Sequence, residues 1–575
     1  MGAQLIRLSA VERESYLRQM TEATLDVLVI GGGITGAGIA LDASTRGLRV
    51  GLVEKQDFAE GTSSRSTKLI HGGLRYLKQG EIGLVREVGR ERAILHRNAP
   101  HLVTPEKMLL PIVAGGTYGK LGTAVGLWVY DRLAGVRHSE RRVMLSKEAT
   151  LRAEPLLSRD KLRGGGLYYE YRTDDARLTV EVMKTATQYG ALCANYVEAT
   201  EFLNMDGKVV GARVFDHVGQ TSWEIRARKV VNAAGPWVDE LRRKDHSLRG
   251  KRLHLTKGVH IVVERARLAL QQSVYFDVPD GRMVFAIPRG NATYVGTTDT
   301  DYKADLERPV ATNEDVVYLL AAANRMFPVA QLTADDVQST WAGLRPLIHE
   351  DGKSPSELSR RDEMFVSDSG LVSIAGGKLT GYRKMAERVV DLVLRELVAE
   401  QDYAFQPCFT DQVTLSGGEP VSETEQRQWT RRLTKIGLTE AAAENVVQTL
   451  VGRYGSNTGE VVAVIEQTAV DGLSADTASV AGEFYYTVQN EMAMDPTDFL
   501  VRRSGRLYFD PKSLEPLLEP IWAAAAQAFD WSVDQVRDAR ARWNAEYLAA
   551  TRFAVRDLTA ADTGEQAYAT ASTEV

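Results

Sequence analysis

The stretch that decides the fold runs from Thr24 to Glu54 and reads TLDVLVIGGGITGAGIALDASTRGLRVGLVE. Its first part, Leu25 to Ile30, is a short apolar run rich in β-branched residues, which is typical of a buried parallel strand. A G-x-G-x-x-G pattern follows at Gly31, Gly33 and Gly36. The first glycine allows a tight turn, the second lets the backbone approach a pyrophosphate, and the third lets a helix pack on the strand.

The residues after the glycines extend the same pattern. A helix is predicted from Thr35 to Arg46, with its free N–H groups and the positive end of its dipole facing a pyrophosphate. A second strand, Arg49 to Val53, ends on Glu54, where a carboxylate would accept hydrogen bonds from a ribose diol. A glycine turn alone is common. In this context it predicts the ADP-binding half of a Rossmann fold, for FAD or NAD.

The bulk composition bounds the class of protein. A chain of 575 residues is expected to hold two or three domains, and its 44% hydrophobic and 25% charged residues are those of an ordinary soluble globular protein. The net charge of −6 gives no reason to expect nucleic acid as a partner. Two cysteines, Cys193 and Cys408, cannot build a disulfide framework or a metal cage, so we expect no metal site and a reducing, cytoplasmic location.

The sequence contains no recognisable signal peptide or membrane span. The most apolar long run, Leu121 to Tyr130, has ten residues, whereas a spanning helix needs about 20. A protein that spans a bilayer is therefore not expected, but one that lies on a membrane surface is compatible with the sequence.

The order of predicted elements indicates an α/β Rossmann-type domain interleaved with an α+β substrate domain that is built on an antiparallel sheet. A helical arm, residues 1–22 with a predicted capping box at Ser9 and Glu12, precedes them, and an all-helical domain follows. We assign about 23–110, 165–240 and 345–400 to the nucleotide domain and about 110–165 and 240–345 to the substrate domain. The C-terminal helical domain covers 401–555, and 556–575 is expected to be disordered.

This interleaving bears on the cofactor. Small-residue turns after the predicted strands at Ala233–Gly235 and Gly376–Leu379 indicate that the chain returns twice to the nucleotide domain. NAD-only dehydrogenases usually complete that domain in one stretch. Two-domain flavoproteins interleave it with a substrate domain, because the isoalloxazine ring must lie between the two. The topology therefore favours FAD, bound non-covalently since no Cys or His stands in a context for a covalent link.

Eight sequence blocks together resemble the FAD-dependent glycerol-3-phosphate dehydrogenases. They are GGGITGAGIALDASTRG, TSSRSTKLIHGGLRYL, DDARL, NAAGPWV, KGVHIVV, GTTDTDY, GLRPL and GGKLTGYRK, and they lie between about Asp26 and Arg383. A weaker likeness continues into the C-terminal domain, for example at GRYGSN, Gly452 to Asn457. The resemblance implies oxidation of sn-glycerol 3-phosphate to dihydroxyacetone phosphate by hydride transfer to FAD, with the electrons passed on to a membrane quinone.

The resemblance leaves the electron acceptor and the surroundings of the protein open. The sister glycerophosphate oxidases share nearly all these motifs and pass the electrons to O₂, which yields hydrogen peroxide. Members of the family associate peripherally with membranes, so the resemblance implies a cytoplasmic protein on the inner face of the cell membrane. The apolar and basic stretch Leu121 to Arg142 is a candidate for the contact with lipid. Partner docking, homodimer formation and a cap over the flavin domain all fit the C-terminal helical domain.

A phosphate-bearing substrate needs guanidinium or ammonium groups in a partly desolvated site. Arg345 in GLRPL and Lys378 in GGKLTGYRK are the candidates that the resemblance favours most, and Thr380, just before the predicted helix, is a candidate beside Lys378. Arg361 is a further candidate, although Arg360 beside it could point inward instead.

Oxidation at C2 also requires that the C2 hydroxyl loses its proton. His260 in the strand-like run GVHIVV is the titratable group suited to neutral pH, although a histidine there is as often a satisfied core residue. Tyr76 could hold or polarise the substrate oxygen. The catalytic candidates are thus His260, Arg345 and Tyr76, and the motifs leave the identity of the base open.

The residues expected to bind FAD come from four parts of the chain. The ADP end would be met by the glycine turn and Glu54, and the pyrophosphate and ribityl chain by the hydroxyl-rich loop. N–H groups near Lys378 would face the flavin O2 side. The full set is Gly31, Gly33, Gly36, Glu54, Ser63, Ser64, Thr67, Lys68, Ala234, Gly235, Gly377, Lys378 and Leu379.

Two other functions fit part of the sequence. An amine or amino-acid oxidase of the same architecture would bind a carboxylate and would not be expected to carry both GTSSRSTKLIHGGLRYL and GGKLTGYRK. A non-catalytic flavin-binding module would need only the ADP half, so the presence of His260, Arg345 and Lys378 in their full contexts argues against it.

Overall fold

The computed structural model describes residues 6–71, 82–116, 119, 122–123, 126–127, 129, 140–349, 362–400, 405–470 and 473–553. Its strands, in chain order, are β1 Leu25–Ile30, β2 Val50–Val53, β3 Leu69–Ile70, β4 Thr104–Val113, β5 Val143–Leu145, β6 Leu162–Arg172, β7 Leu192–Ala194, β8 Val197–Met205, β9 Lys208–Asp216, β10 Thr221–Asn232, β11 Leu253–Glu264, β12 Ser273–Asp277, β13 Met283–Arg289, β14 Ala292–Gly296, β15 Thr300–Asp301, β16 Val337–Ile348, β17 Glu363–Val366 and β18 Val372–Ala375.

The first sheet has the order β17-β18-β10-β1-β2-β7, with β9 paired to β10 and β8 to β9. Strand β1 lies parallel to β2 on one side and to β10 on the other. Its apolar sequence leaves only Asp26 partly exposed, as expected for a parallel strand that is covered on both faces. The helices that accompany this sheet are Arg13–Glu22, Ile34–Thr45, Asp175–Gln188, Val238–Lys244 and Tyr382–Glu400.

The second sheet has the order β15-β11-β14-β13-β12-β4-β6-β3, with β16 paired to β11 and β5 to β6. All its pairs are antiparallel except β12 with β4. The helix Asn313–Met326 packs against β11 and β14 and shares a separate apolar core with them. Helices Ile82–Asn98 and Lys147–Ala153 complete this part of the described chain. The predicted antiparallel substrate sheet is therefore confirmed.

The C-terminal part is helical, as predicted. Its helices are Glu423–Lys435, Glu440–Tyr454, Thr458–Val470, Ala475–Asn490, Arg506–Phe509, Glu515–Phe529 and Val533–Thr551, and a π-helix spans Asp498–Arg503. Within the described ranges, no helix has the length and apolarity needed to cross a membrane.

The sheets divide the chain differently from the predicted boundaries at residues 110, 165 and 345. Strands β3 and β4 already belong to the second sheet, β6 belongs to it as far as Arg172, and β16 continues in it to Ile348. Periodicity shows that β4 and β6 are strands, but it carries no information on which sheet they join. Their pairing with each other, from Thr104–Arg172 to Val113–Leu162, places both in the second sheet.

The predicted capping box at Ser9 and Glu12 is wrong. The first helix begins at Arg13, and its N-cap residue Glu12 makes no side-chain capping bond. The reason is a long-range contact: the Ala10 N–H donates to the Val488 carbonyl at 2.8 Å, and the Met492 N–H donates to the Leu8 carbonyl at 2.8 Å. These bonds hold residues 8–10 extended against the C-terminal domain, so the helix cannot start at Ser9.

The first helix is joined to the sheet by a buried ion pair, which gives a test of the fold. The Arg13 guanidinium donates to both carboxylate oxygens of Asp216, at 2.5 and 3.1 Å, and both side chains are buried. Asp216→Ala leaves the guanidinium buried and unpaired, so we expect the free energy of unfolding to fall by about 3–5 kcal/mol, measured by urea denaturation of the holoprotein. Arg18→Ala in the same helix removes an exposed pair with Glu14 and serves as the control, with an unchanged midpoint. Equal midpoints for the two variants would contradict this account.

Candidate active site

A long cleft opens at the carboxyl ends of β1, β2, β10 and β18. The glycine turn forms its floor. Gly31 has φ +116°, and a Cβ built on it would lie 2.5 Å from the Ala233 carbonyl oxygen. A Cβ on Gly36 would lie 1.9 Å from the Gly31 carbonyl oxygen, so the third glycine permits the helix to rest directly on the turn.

The N-terminus of the helix Ile34–Thr45 faces this cleft. Its N-cap residue is Gly33, which has no side chain with which to cap the helix. The Ile34 N–H donates to the Ser63 hydroxyl at 2.9 Å, which brings the hydroxyl-rich loop over the turn. The remaining backbone N–H groups of this first turn, together with the positive end of the helix dipole, are suited to an anionic phosphate group.

Glu54 stands at the end of β2, as predicted, and lines the cleft. One carboxylate oxygen accepts from the Gly32 N–H at 2.6 Å and the other from the Gln56 N–H at 2.9 Å. Burial raises the pKa of this carboxyl above its ordinary value, although the two backbone donors oppose the shift. The Glu54 side chain is thus fixed at the edge of the cleft by the backbone N–H groups of Gly32 and Gln56.

The opposite wall comes from the two later returns of the chain. Ala233, Ala234 and Gly235 follow β10, and the turn after β18 contributes Gly376 to Leu379. Gly377 has φ +83°, and a Cβ on it would lie 2.4 Å from the Met385 sulfur, so the turn needs glycine at this point. Both returns were predicted from the small residues that end each strand.

Most predicted cofactor residues lie in this cleft. The predicted residues that line it are Gly31, Gly33, Glu54, Ser63, Ala234, Gly235, Gly377, Lys378 and Leu379. Gly36, Ser64, Thr67 and Lys68 do not line it and have other partners. Gly36 packs under the turn, and the Ser64 carbonyl and the Asp175 carboxylate accept from the buried Lys68 ammonium at 2.8 and 2.5 Å.

Several residues of the cleft were missed by the sequence reasoning. They are Lys55, Gln56 and Glu60 from the loop after β2, Val197 to Ala199 from the start of β8, and Trp237 and Lys244 after β10. The Lys55 ammonium lies 4.2 Å from the centre of the Trp237 ring. Position in the chain was the available signal, because each of these residues follows Glu54, the predicted turn Ala233–Gly235 or the short strand β7 within fewer than ten residues.

A second cluster lies on the neighbouring sheet, on β11 and β16. His260 is 1% exposed, its ring stacks on Trp341 with centroids 4.8 Å apart, and its Nε2 lies 3.1 Å from the Thr67 hydroxyl. Within the described part of the chain, its Nδ1 is buried and has no hydrogen-bond partner. Burial, followed by the charges of Arg345 and Lys68, holds the pKa of His260 well below the ordinary value of 6.5, so the imidazole is neutral at neutral pH.

Arg345 lies close to His260. Its guanidinium donates to the Asp299 carboxylate at 3.0 Å, to the Thr298 carbonyl at 3.2 Å and to the Thr297 hydroxyl at 2.9 Å. Gly258 leaves room for it, because a Cβ there would lie 2.3 Å from the Arg345 Nη2. Gly258 and His260 lie two residues apart on β11, so the guanidinium occupies the space beside the imidazole on one face of the strand.

The remaining predicted substrate residues are only partly described. Thr380 is buried in a short 3₁₀ turn after Lys378, and its hydroxyl donates to the His71 carbonyl at 3.3 Å. Tyr76 and Arg361, with Arg360, lie outside the described residues, as does most of Leu121 to Arg142.

Comparison with known proteins agrees with this geometry. Residues 26–383 match the model of the FAD dependent oxidoreductase family, and residues 408–536 match the C-terminal domain of alpha-glycerophosphate oxidase. The chain belongs to the FAD dependent oxidoreductase family.

Individual relatives cover nearly the whole chain. The aerobic glycerol-3-phosphate dehydrogenase of Bacillus subtilis is 52% identical over 526 residues, which is 91% of this chain and 95% of that protein. The crystal structure of the glycerol-3-phosphate dehydrogenase from Bacillus halodurans complexed with FAD matches with a TM-score of 0.80 and 45% identity, over 96% of this chain and 100% of that one. The FAD-bound L-alpha-glycerophosphate oxidase of Mycoplasma pneumoniae shares the fold, with a TM-score of 0.53 and 21% identity over 68% of this chain and 98% of that one.

The cleft fits the cofactor of the family. Its glycines lie where a Cβ would close the floor or the wall, the N-cap residue of its helix is a glycine, and a carboxylate stands at the end of β2. These features suit the pyrophosphate and the adenosine ribose of FAD. The residues that would hold the cofactor are thus the glycine turn, Glu54, Ser63 and the two small-residue turns.

Gly36 offers a test of this cleft. Gly36→Ala places a methyl group against the Gly31 backbone, which has no flexible end to move aside. The helix must shift from the turn, and we expect FAD to bind about 10- to 100-fold more weakly. Titration of apoprotein with FAD, followed by flavin fluorescence, measures the affinity. Gly83→Ala in the helix Ile82–Asn98 meets nothing within 4 Å and should bind FAD as the parent does. An unchanged affinity in Gly36→Ala would exclude this position of the pyrophosphate.

Proposed function

We propose that this protein oxidises sn-glycerol 3-phosphate to dihydroxyacetone phosphate with FAD as cofactor and passes the electrons to a quinone. The observation that carries the proposal is the identity of 52% to an aerobic glycerol-3-phosphate dehydrogenase over 95% of its length. The His260 and Arg345 cluster supports it, because this part of the second sheet offers a neutral imidazole and a fixed guanidinium side by side.

Arg345 is proposed to bind the substrate phosphate or the reacting oxygen. Asp299, Thr297 and Thr298 accept from both terminal nitrogens and fix the plane of the guanidinium. The side chain is 24% exposed, so it is partly desolvated and still reachable. A guanidinium held in this way binds an anionic oxygen without first losing side-chain freedom. Lys378, at the end of the FAD cleft, is proposed as a second cation for the same substrate.

His260 is proposed to accept the proton of the C2 hydroxyl. When bound, FAD supplies the hydride acceptor for C2. The imidazole must be neutral to accept a proton, and its lowered pKa keeps it so. Thr67 meets Nε2, and Nδ1 makes no hydrogen bond within the described residues.

Anaerobic mixing of the holoprotein with sn-glycerol 3-phosphate tests the function. We expect the visible flavin absorption to bleach promptly, and glycerol without the phosphate to leave it unchanged. A flavin that stays oxidised would exclude this substrate. His260→Asn should slow bleaching by about 10²–10⁴-fold, the usual contribution of a general base. A rate close to that of the parent would remove His260 from this role.

The oxidase reaction is the second candidate, and the match of residues 408–536 to the glycerophosphate oxidase C-terminal domain favours testing it. Admission of air to the bleached enzyme distinguishes the two. Slow recolouring that a quinone analogue accelerates supports the dehydrogenase. Fast recolouring with stoichiometric hydrogen peroxide would support the oxidase instead. A quinone acceptor also requires contact with a membrane surface, and binding to lipid vesicles tests this peripheral contact.

The pH dependence of bleaching gives a further test. The charged groups beside His260 are Lys68, paired with Asp175, and Arg345, paired with Asp299. Since both cations lower the pKa of His260, the rate should stay constant down to well below pH 6.5 and then fall as the imidazole becomes protonated. Lys68→Met removes one cation, so the acid limb should move to higher pH.

The control for this variant is Lys257→Met. Lys257 is also buried and paired, with Asp315 at 2.6 Å, but it is absent from the charges that act on His260. The acid limb of the pH profile of Lys257→Met should coincide with that of the parent protein. Identical pH profiles for Lys68→Met and the parent would show that His260 does not set the acid limb.

A further inference from the structure

The loop after β2 connects the FAD cleft to the C-terminal helical domain. Its residues Glu54, Gln56 and Glu60 line the cleft. Asp57, between them, is 0% exposed and points the other way, into the junction with the helical domain. The loop therefore has one side on the cofactor site and the other on the C-terminal domain.

Two consecutive arginines of the π-helix Asp498–Arg503 hold Asp57. Arg503 donates from Nη1 to one carboxylate oxygen at 2.6 Å and from Nη2 to the other at 2.8 Å. Arg502 donates from Nε at 2.5 Å, and Asn195 from its amide at 3.0 Å. Arg502 also reaches Glu60 at 3.4 Å and Asp498 at 2.6 Å. Because the guanidinium groups and the carboxylate are ionised, these hydrogen bonds are charge-assisted. Because both arginines are buried, the site is shielded from water.

The electrostatics show that this contact is tight. Although burial alone would raise it, the pKa of Asp57 is lowered to about 2 by Arg503 and Arg502. The carboxylate is therefore charged at neutral pH, and movement of the loop away from the π-helix would leave the buried Arg503 without its carboxylate partner. The loop is fixed to the glycine turn as well, because the Ala59 N–H donates to the Gly32 carbonyl at 3.1 Å.

We propose that Arg502 and Arg503 are positioning residues for FAD, and that the C-terminal domain shapes the cofactor site through Asp57. The arginines fix the loop from behind, so that Glu54, Gln56 and Glu60 face the cleft in one arrangement. The inference rests on FAD as the cofactor and is independent of the substrate. It gives the helical domain a role beyond the three that the sequence left open, which were partner docking, homodimer formation and a cap.

A second ion pair at the same junction provides a matched control. Arg177 donates to both carboxylate oxygens of Glu491, at 2.5 and 2.9 Å, and both side chains are fully buried. This pair also joins the first-sheet helix Asp175–Gln188 to the C-terminal domain. Neither Arg177 nor Glu491 lines the cleft or belongs to the loop after β2. Arg503 also donates to the Glu491 backbone carbonyl, at 2.8 Å from Nη2, and a change of the Glu491 side chain leaves this carbonyl in place.

The test compares Asp57→Asn with Glu491→Gln, each a carboxylate changed to the amide of the same size. Both should lower the urea midpoint, since both weaken a buried interdomain pair. Only Asp57→Asn should weaken binding of FAD to the apoprotein, by about 10- to 100-fold, the range for loss of one or two charge-assisted bonds. Unchanged FAD affinity in Asp57→Asn, or equal weakening in Glu491→Gln, would overturn the proposal.

Two further measurements cover the case in which Asp57→Asn does not fold. Arg503→Lys keeps the charge but loses the two-point contact with Asp57, and it should weaken FAD binding less than Asp57→Asn. In the unaltered protein, FAD binding should slow amide hydrogen exchange in the π-helix Asp498–Arg503, because the coupling acts in both directions. The helices Glu423–Lys435 and Glu440–Tyr454, which share a separate apolar core, should exchange as before. Exchange in Asp498–Arg503 that does not respond to FAD would overturn the proposal without any variant.

Discussion

The close contact between the helix Ile34–Thr45 and the glycine turn is the constraint on which the rest of the structure depends. Eleven of the twelve residues of this helix are buried, because it packs against the helices Asp175–Gln188 and Tyr382–Glu400 as well as the sheet. A Cβ at Gly36 would collide with the turn, and one at Gly38 would lie 2.8 Å from the Tyr382 ring. Small residues on both faces thus let the helix Ile34–Thr45 lie close to its two neighbouring helices, while its N-terminus, at Gly33, faces the cleft.

Buried charges define how the C-terminal domain joins this unit. Asp57 with Arg502 and Arg503, and Arg177 with Glu491, bring together residues that are more than 300 positions apart in sequence. Such pairs add little net stability compared with well-packed apolar groups, since desolvation offsets the attraction. They do penalise every alternative placement, because a shifted domain would leave a buried charge without its partner. The junction is therefore specific in a way that an apolar interface of the same size would not be.

The sequence was most informative where structure is local. The strand β1, the glycine turn, Glu54 and the small-residue turns at Ala234 and Gly377 follow from short-range geometry that each residue type imposes. What it could not provide is pairing over long distance. The sequences of β4 and β6 have the pattern of strands, but the sheet that each one joins depends on its pairing with the other. Ser9 has the pattern of a capping residue, yet the hydrogen bonds of its neighbours Leu8 and Ala10 to the C-terminal domain decide its conformation. Lys68 was predicted to contact the cofactor because it lies in the hydroxyl-rich loop, and in the structure its ammonium forms a buried ion pair with Asp175.

The segment from Thr62 to Ile70 explains how the two sheets serve one reaction. At its start Ser63 accepts from the helix Ile34–Thr45, and the Thr62 hydroxyl donates to the Leu344 carbonyl on β16 at 2.7 Å. Further on, Thr67 meets His260, and Leu69–Ile70 pairs with β6 as the short strand β3. One continuous piece of backbone thus touches the cofactor cleft, the strand that carries Arg345 and the proposed proton acceptor. Since the strand β3 and three side-chain contacts hold this segment in place, its length limits how far apart the cofactor cleft and the His260 and Arg345 cluster can lie.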